Sequence, residues 1–432
     1  MTTTVRTPTR RTRQSDDDSR ARLPALSALA DDALAELVGT LGEPPWRARQ
    51  LRRAAWQPFV ASLDDIRQLP AGLREGLAAR LRFISAIVAS ERLADRGTTI
   101  KLLCGLDDQL TVETVAMESP PRGGSSRRAT VCVSTQVGCA IGCPFCATGR
   151  MGLRRSCTPA EVVDQVRLAG QALHRHGLGP VTHVVYMGMG EPLAAYETTV
   201  ASLRALAVHG GISPRRITVS TSGVVPSIRR LAAEGLPVTL AISLHAATDE
   251  LRDRLVPINR AHPLDALVAA AGAYGRVTGR RLSLEWCLIG GVNDGLDQAA
   301  GLVRIARRLR AHVNVIPMNR IEGSPWGPPP ADVSRAFLRH LSQAALTVTV
   351  RDTRGGEADA ACGQLRASLE PRRQLRPDGT LGPQRSAQRG PDEIRAPAGR
   401  DSGRRPPLGN GAQLPRADQG SEKRRERAHR GA

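Results

Sequence analysis

Seven short apolar runs recur along the middle of the chain, at residues 131–135, 183–187, 217–220, 238–243, 282–288, 313–317 and 346–350, with helical stretches between most of them. Repeated strand–helix units with near-continuous apolar strands predict a parallel sheet wrapped by helices, an α/β fold. Six or seven strands fall short of the eight that close a barrel. The expectation is a partial barrel, open along one side and able to admit a large substrate. Thr158-Pro159-Ala160-Glu161 marks one helix start, with a Thr cap, Pro in the first turn and Glu closing a capping box. Before the first run, residues 101–115 hold two strand-like stretches that read as a hairpin.

The flanking regions differ in character. Residues 1–22 are polar and mostly basic, without the apolar stretch of a secretory signal, and read as a disordered arm. Residues 23–95 carry helical patterns, one from Asp31, one from Pro45 and one over residues 62–82. They are expected to form a small all-helical accessory domain whose basic face suits RNA. Residues 96–366 would be the barrel, and residues 367–432, rich in Pro, Gly and Arg, a disordered tail. No apolar run approaches the roughly 18 residues of a membrane span, so no membrane partner is expected. The formal charge of +20 favours a polyanionic partner, because cationic side chains release counterions from a phosphate backbone. The tail alone does not explain it, since residues 367–432 hold 15 Lys or Arg against 8 Asp or Glu.

Cys139, Cys143 and Cys146 form a C-x3-C-x2-C triplet directly after the first parallel strand. Three thiolates at that spacing can hold three irons of a 4Fe–4S cube and leave the fourth open for a ligand. A structural zinc site would use paired C-x2-C knuckles and a fourth ligand, and none follows here. A disulfide framework does not suit a long chain without a secretory signal. With Phe145 before the third cysteine, the triplet resembles the signature of the radical S-adenosylmethionine enzymes.

Catalytic groups of βα barrels collect at the C-terminal ends of the strands. Unusual residues stand at those ends here. They are Gly188-Met189-Gly190-Glu191-Pro192, Ser220-Thr221-Ser222-Gly223, Ser243-Leu244-His245 and Asn319. Each alone is weak, since a Gly-rich turn or a lone histidine is commonly structural. Together they suggest a ring around one small-molecule site. Cys104, Cys157 and Cys287 read as inert small hydrophobes. Cys362 differs, because it lies in a Gly-, Asp- and Arg-rich loop past the last strand.

From about Gly42 to Leu365 the chain resembles the RlmN/Cfr family of radical-SAM RNA methyltransferases, and within it the RlmN branch. The resemblance rests on residues 132–139, the cysteine triplet and residues 187–192, 220–225, 243–246 and 360–365. It implies a partial (β/α)6-type radical-SAM barrel. It also implies a 4Fe–4S cluster on Cys139, Cys143 and Cys146, and S-adenosylmethionine held by Gly190, Glu191, Ser220, Ser243, Leu244, His245 and Asn319. Two S-adenosylmethionine molecules would serve each turnover. One would methylate Cys362, and the other would yield the radical that takes hydrogen from that methyl group. The carbon would then join adenine carbon 2, with Glu113 as proton acceptor and Cys132 releasing the product through a transient disulfide. The implied partners are 23S rRNA, with tRNA as a further substrate, and an electron donor such as flavodoxin or ferredoxin. A cytoplasmic monomer is expected. Residues 120–126 read as an inserted loop between Glu113 and Cys132, and Arg320 stands where the family commonly has proline.

Three other readings stay open at this level. The methylated position could be adenine carbon 8, or only one RNA could be a substrate. The chain could be an RNA-binding protein with a structural cluster. It could also be a radical enzyme acting on a protein or small molecule, against which the basic charge and the Cys132/Cys362 pair argue.

Overall fold

The computed structural model describes residues 23–119, 127–320 and 325–350. Its first elements are three helices, α1 (Asp31–Thr40), α2 (Trp46–Ala55) and α3 (Ala71–Ala78). Leu34, Val38, Leu51, Leu73 and Leu77 repeat at helical spacing, and their buried stripes meet in a hydrophobic cluster distinct from the larger core. Residues 86–94, expected to continue this helical region, instead form strand β1 (Ala86–Ala94), so the change of pattern comes before Ala86 rather than near Thr98. The β-branched and alternating residues of Ile-Val-Ala-Ser-Glu-Arg fit an extended edge, and Glu91 and Arg92 suit a strand with one unpaired side.

The hairpin follows as β2 (Thr99–Leu106) and β3 (Thr111–Ser119), then β4 (Arg128–Cys132), β5 (Gln136–Gly138), the one-turn helix α4 (Ala147–Arg150) and β6 (Leu153–Ser156). From there strand and helix alternate: α5 (Pro159–Arg175), β7 (Val181–Tyr186), α6 (Tyr196–Val208), β8 (Ile217–Thr221), α7 (Val225–Ala233) and β9 (Thr239–Ser243). Then come α8 (Asp249–Leu255), α9 (Leu264–Thr278), β10 (Ser283–Leu288), α10 (Leu296–Leu309), β11 (His312–Pro317), α11 (Ala331–Gln343) and β12 (Val348–Val350).

Ten of these strands make one sheet in the order β1-β2-β3-β4-β7-β8-β9-β10-β11-β12. The first four pair antiparallel, and β4 onward pair parallel. Among the described residues the sheet runs from β1 at one edge to β12 at the other and does not close, which is the expected partial barrel. The core lies between the sheet and its helices. Val131, Val184, Val219, Ile242, Leu284 and Val313 pack there against Val166, Leu203, Leu231, Leu267, Leu302 and Leu341. Each fully buried aliphatic side chain of this kind contributes roughly 1.5–3 kcal/mol.

Alternation sends the intervening residues to the inner face, among them the polar Thr218, Ser220, Ser243, Glu285 and Asn314. The capping box of α5 forms as read from sequence, with Glu161 N donating to Thr158 Oγ1 at 3.2 Å and Thr158 N donating to Glu161 Oε2 at 2.7 Å. The same helix grips the helical region. Arg167 Nε donates to Ala55 O at 3.1 Å, its Nη1 to Phe83 O at 2.9 Å, and Gln171 Nε2 to Val60 O at 2.8 Å. Among the described residues, no helix is long and apolar enough to cross a membrane. The expected basic arm, the inserted loop at 120–126, the tail and Cys362 lie outside the described residues.

Candidate active site

The cysteine triplet sits in a loop that protein hydrogen bonds fix at both ends. β5 and β6 pair antiparallel on either side of it. Cys139 N donates to Gly152 O at 3.0 Å, and Cys146 N to Cys143 O at 3.0 Å. Gly149 of α4 lies so close that a Cβ there would meet Cys143 O at 2.7 Å. All three thiols are free and line one cavity of about 190 Å³.

Burial is the main cause that raises each thiol pKa. It brings Cys139 to about 12, with Glu191 and Cys146 adding to the rise, and it lifts Cys143 well above its ordinary value, with Cys146 and Cys139 adding to the rise. The Cys146 thiol is also raised by burial, against backbone N–H donors from Gly149 and Thr148. Three half-buried thiols, two of them raised further by their neighbours, form a donor set suited to a positively charged metal core. Among the described residues, no three His, Cys, Asp or Glu side chains could hold a single metal ion together. A 4Fe–4S cube asks instead for one thiolate on each of three irons, and the triplet fits that demand.

The opposite wall comes from the strand ends. Beyond β7, Gly190 adopts φ +101°, and a Cβ there would meet Gln136 Cβ at 2.5 Å, so the turn packs tightly on β5. Glu191 N donates to Gln136 Oε1 at 2.9 Å. The Glu191 carboxylate is buried and accepts from Ser222 N and Ser222 Oγ, both at 2.7 Å, and from Leu193 N at 3.0 Å. Burial pushes its pKa up, and these donors oppose the shift. Ser220 Oγ and Ser243 Oγ lie 3.3 Å apart at neighbouring strand ends.

His245 occupies the left-handed region at φ +60°, with its ring edge-on to Phe145 at 4.9 Å between centroids. Its Nδ1 accepts from Cys287 N at 2.9 Å, which assigns the proton to Nε2. Burial and then Arg252 depress its pKa to about 3, so the ring is neutral. Gly190, Glu191, Ser220, Ser243, His245 and Asn319 all line the cavity. Leu244 lies beneath it, its N donating to Glu285 O at 3.0 Å.

Glu113 and Cys132 stand elsewhere. Cys132 of β4 pairs opposite Val115 of β3, and Glu113 lies two residues from Val115, so both belong to the inner face. Neither lines the cavity. Glu113 faces Lys101 at 3.6 Å, both nearly without solvent exposure.

Several groups in the site carried no sequence signal strong enough to single them out. Arg252 of α8 is fully buried and donates to four acceptors. They are Leu244 O at 3.0 Å from Nε, Asn259 Oδ1 at 2.8 Å from Nη1, and Ser222 O at 2.6 Å and Ser243 O at 3.1 Å from Nη2. Asn293 Nδ2 donates to His245 O at 2.8 Å and Cys287 O at 2.7 Å. Glu285 lines the cavity and accepts from Ser283 Oγ at 2.8 Å and Asn314 Nδ2 at 2.6 Å. A carboxylate inside the apolar run 282–288 is the one signal that pointed to Glu285.

The geometry has close counterparts. Residues 133–302 match the Radical SAM superfamily. The chain is 46% identical over 360 residues to a probable dual-specificity RNA methyltransferase RlmN of Frankia alni, covering 81% of this chain and 84% of that one. It is 44% identical to the dual-specificity RNA methyltransferase RlmN of an Anaeromyxobacter species, over 82% and 93% of the two chains. The crystal structure of a radical SAM methyltransferase from Sphaerobacter thermophilus superposes with a TM-score of 0.75 at 44% identity, over 80% of this chain and 99% of that one.

The chain belongs to the RlmN family of radical-SAM RNA methyltransferases.

As an RlmN-family enzyme it is an S-adenosylmethionine-dependent RNA methyltransferase. Membership in the superfamily implies S-adenosylmethionine and a 4Fe–4S cluster, and the triplet is the donor set suited to that cluster.

Proposed function

We propose that this enzyme methylates carbon 2 of an adenine in 23S rRNA and in tRNA, through a methyl group carried on Cys362 and released by Cys132. The carrying observation is the register of β3 and β4, with Glu113 and Cys132 on the same inner face as the polar strand-end residues. The relatives' description as dual-specificity enzymes supports two RNA substrates.

In this reading Cys139, Cys143 and Cys146 hold the cluster and leave one iron open. Glu191, Ser220, Ser243, the backbone at Leu244, neutral His245 and Asn319 bind and orient S-adenosylmethionine, two molecules per turnover. The bound cofactors supply a carbon radical, with the electron coming from a reduced flavodoxin or ferredoxin. Cys362 presents the methyl carbon that becomes bonded to the adenine. Glu113 accepts the ring proton, and the odd electron left on the adduct would return to the bound cofactors. The Cys132 thiolate then attacks the Cys362 sulfur; the sulfur–carbon bond breaks as the disulfide forms, the released methylene carbon takes up a proton to become the methyl group, and external thiols reduce the pair. An aromatic ring carbon is too poor a nucleophile for direct transfer, which is why a radical route suits the substrate.

The test is mass spectrometry of rRNA and tRNA nucleosides from cells with and without the chain. Loss of 2-methyladenosine from both pools is the expected result. A change confined to 8-methyladenosine would move the reading to carbon 8, and a change in rRNA alone would restrict it to one substrate. No change in any methyladenosine would sink it.

A further inference from the structure

We propose that Arg252 is a positioning residue for S-adenosylmethionine, fixing the turns after β8 and β9 that form one wall of the cofactor cavity. The inference rests on the radical-SAM reading of that cavity, and it is independent of which RNA or which ring carbon is methylated. Ser220, Ser222, Ser243 and His245 reach the cavity from two separate strand ends. Nothing in parallel pairing fixes how those ends turn once the ladder stops at Thr221 and Ser243. One guanidinium bonds both turns, through Ser222 O on one side and Ser243 O and Leu244 O on the other.

The fork is itself held. Asn259 Oδ1 accepts from Nη1, while Asn259 Nδ2 donates to Asp249 Oδ1 at 2.8 Å and Asp253 Oδ1 at 2.7 Å. Asp249 Oδ1 also accepts from Leu264 N at 2.8 Å. Two helix starts therefore brace the guanidinium. Through Ser222 the brace extends to the Glu191 carboxylate, and through Ser243 and Leu244 to the backbone that sets the His245 ring. A planar five-donor fork can satisfy acceptors on two strands and a side chain at once. An ammonium on a flexible stem cannot hold that geometry.

The experiment compares Arg252→Lys with Arg167→Lys in the cluster-loaded enzyme. Arg167 is also a buried guanidinium that donates to backbone carbonyls, but it sits at the contact between α5 and the helical region. S-adenosylmethionine affinity is read by equilibrium dialysis. Backbone mobility is read by hydrogen exchange in peptides spanning residues 220–224 and 243–246. Arg252→Lys should weaken S-adenosylmethionine on the order of tenfold and speed exchange in both peptides, while Arg167→Lys leaves both unchanged. Asn259→Ser, a milder change that releases one arm of the fork, should shift both readouts in the same direction by less, and serves if Arg252→Lys fails to fold. The proposal is overturned if the folded Arg252→Lys or Asn259→Ser enzyme keeps parental affinity and exchange. It is equally overturned if Arg167→Lys weakens the cofactor as much. Neither readout uses RNA, so failure of the methylation reading would leave this comparison intact.

Discussion

Lys101 and Glu113 show how much can rest on two side chains. Their charged ends lie 3.6 Å apart, with 1% and 0% of the side chains exposed. Removing one member of a buried ion pair leaves the other charge in a medium that solvates it poorly. Lys101→Met should therefore cost about 3–5 kcal/mol of unfolding free energy, read by urea denaturation. The double variant Lys101→Met/Glu113→Gln should recover much of it. A single variant within about 1 kcal/mol of the parent would contradict the argument. At this scale the sequence was uneven as a guide. The triplet and Glu191 stood out because unusual residue types cluster at strand ends. Lys101 and Arg252 did not: Lys101 is a single charge at the head of an apolar strand, and the segment Leu-Arg-Asp-Arg-Leu has the pattern of a solvated helix face. Only tertiary packing decides that one of its two arginines is buried.

The small sheet of β5 and β6 carries most of the local order around the cysteines. Arg155 of β6 reaches Glu161 of α5 with two bonds of 2.9 Å each, so the hairpin is tied to a long helix. Gly138 sits at φ +83°, and a Cβ there would lie 1.8 Å from Gly152 O. No side-chain rearrangement relieves a clash with backbone. Gly138→Ala should force β5 and β6 apart beside Cys139 and lower the iron bound per chain after reconstitution. The far-UV circular dichroism should stay near parental, since the ten-stranded sheet is not involved. Full iron loading in that variant would show that the hairpin does not set the loop. The positions of the seven parallel strands were legible from apolar runs, and the start of α5 from its capping box. β1 was not, because a nine-residue edge strand with polar residues on it carries little of the periodicity that marks a buried one. The pairing of β5 with β6 across the cysteine loop was equally hidden, since three- and four-residue strands leave almost no pattern.

Across the described residues, one buried and three half-buried imidazoles set the acid side of stability. Burial and nearby arginines depress His183 to about 4 and His245 to about 3, and burial lowers His209 and His312 as well. Each has a folded pKa below its ordinary value, so between the two the unfolded chain binds more protons. Their contribution is intact above about pH 6.5 and is lost as pH falls toward the folded values. Glu191, raised by burial, acts in the opposite sense above its ordinary value and offsets part of the change. The urea midpoint should fall between about pH 7.5 and about pH 5, and His183→Gln should reduce the fall. Equal midpoints at the two pH values would refute this account. The polar grip of α5 on the helical region, through Arg167 and Gln171, belongs to the same scale. No local sequence pattern announces a hydrogen bond that spans more than a hundred residues, such as Arg167 to Ala55.

The loop that carries the three cysteines is closed by the hydrogen bond from Cys139 N to Gly152 O and by the β5–β6 ladder, and none of those bonds involves a thiol. Its backbone path is therefore held by bonds that occupy none of the three sulfurs. Scaffolding and ligation thus fall to different atoms of one loop, the amides fixing its path and the sulfurs left to bind metal.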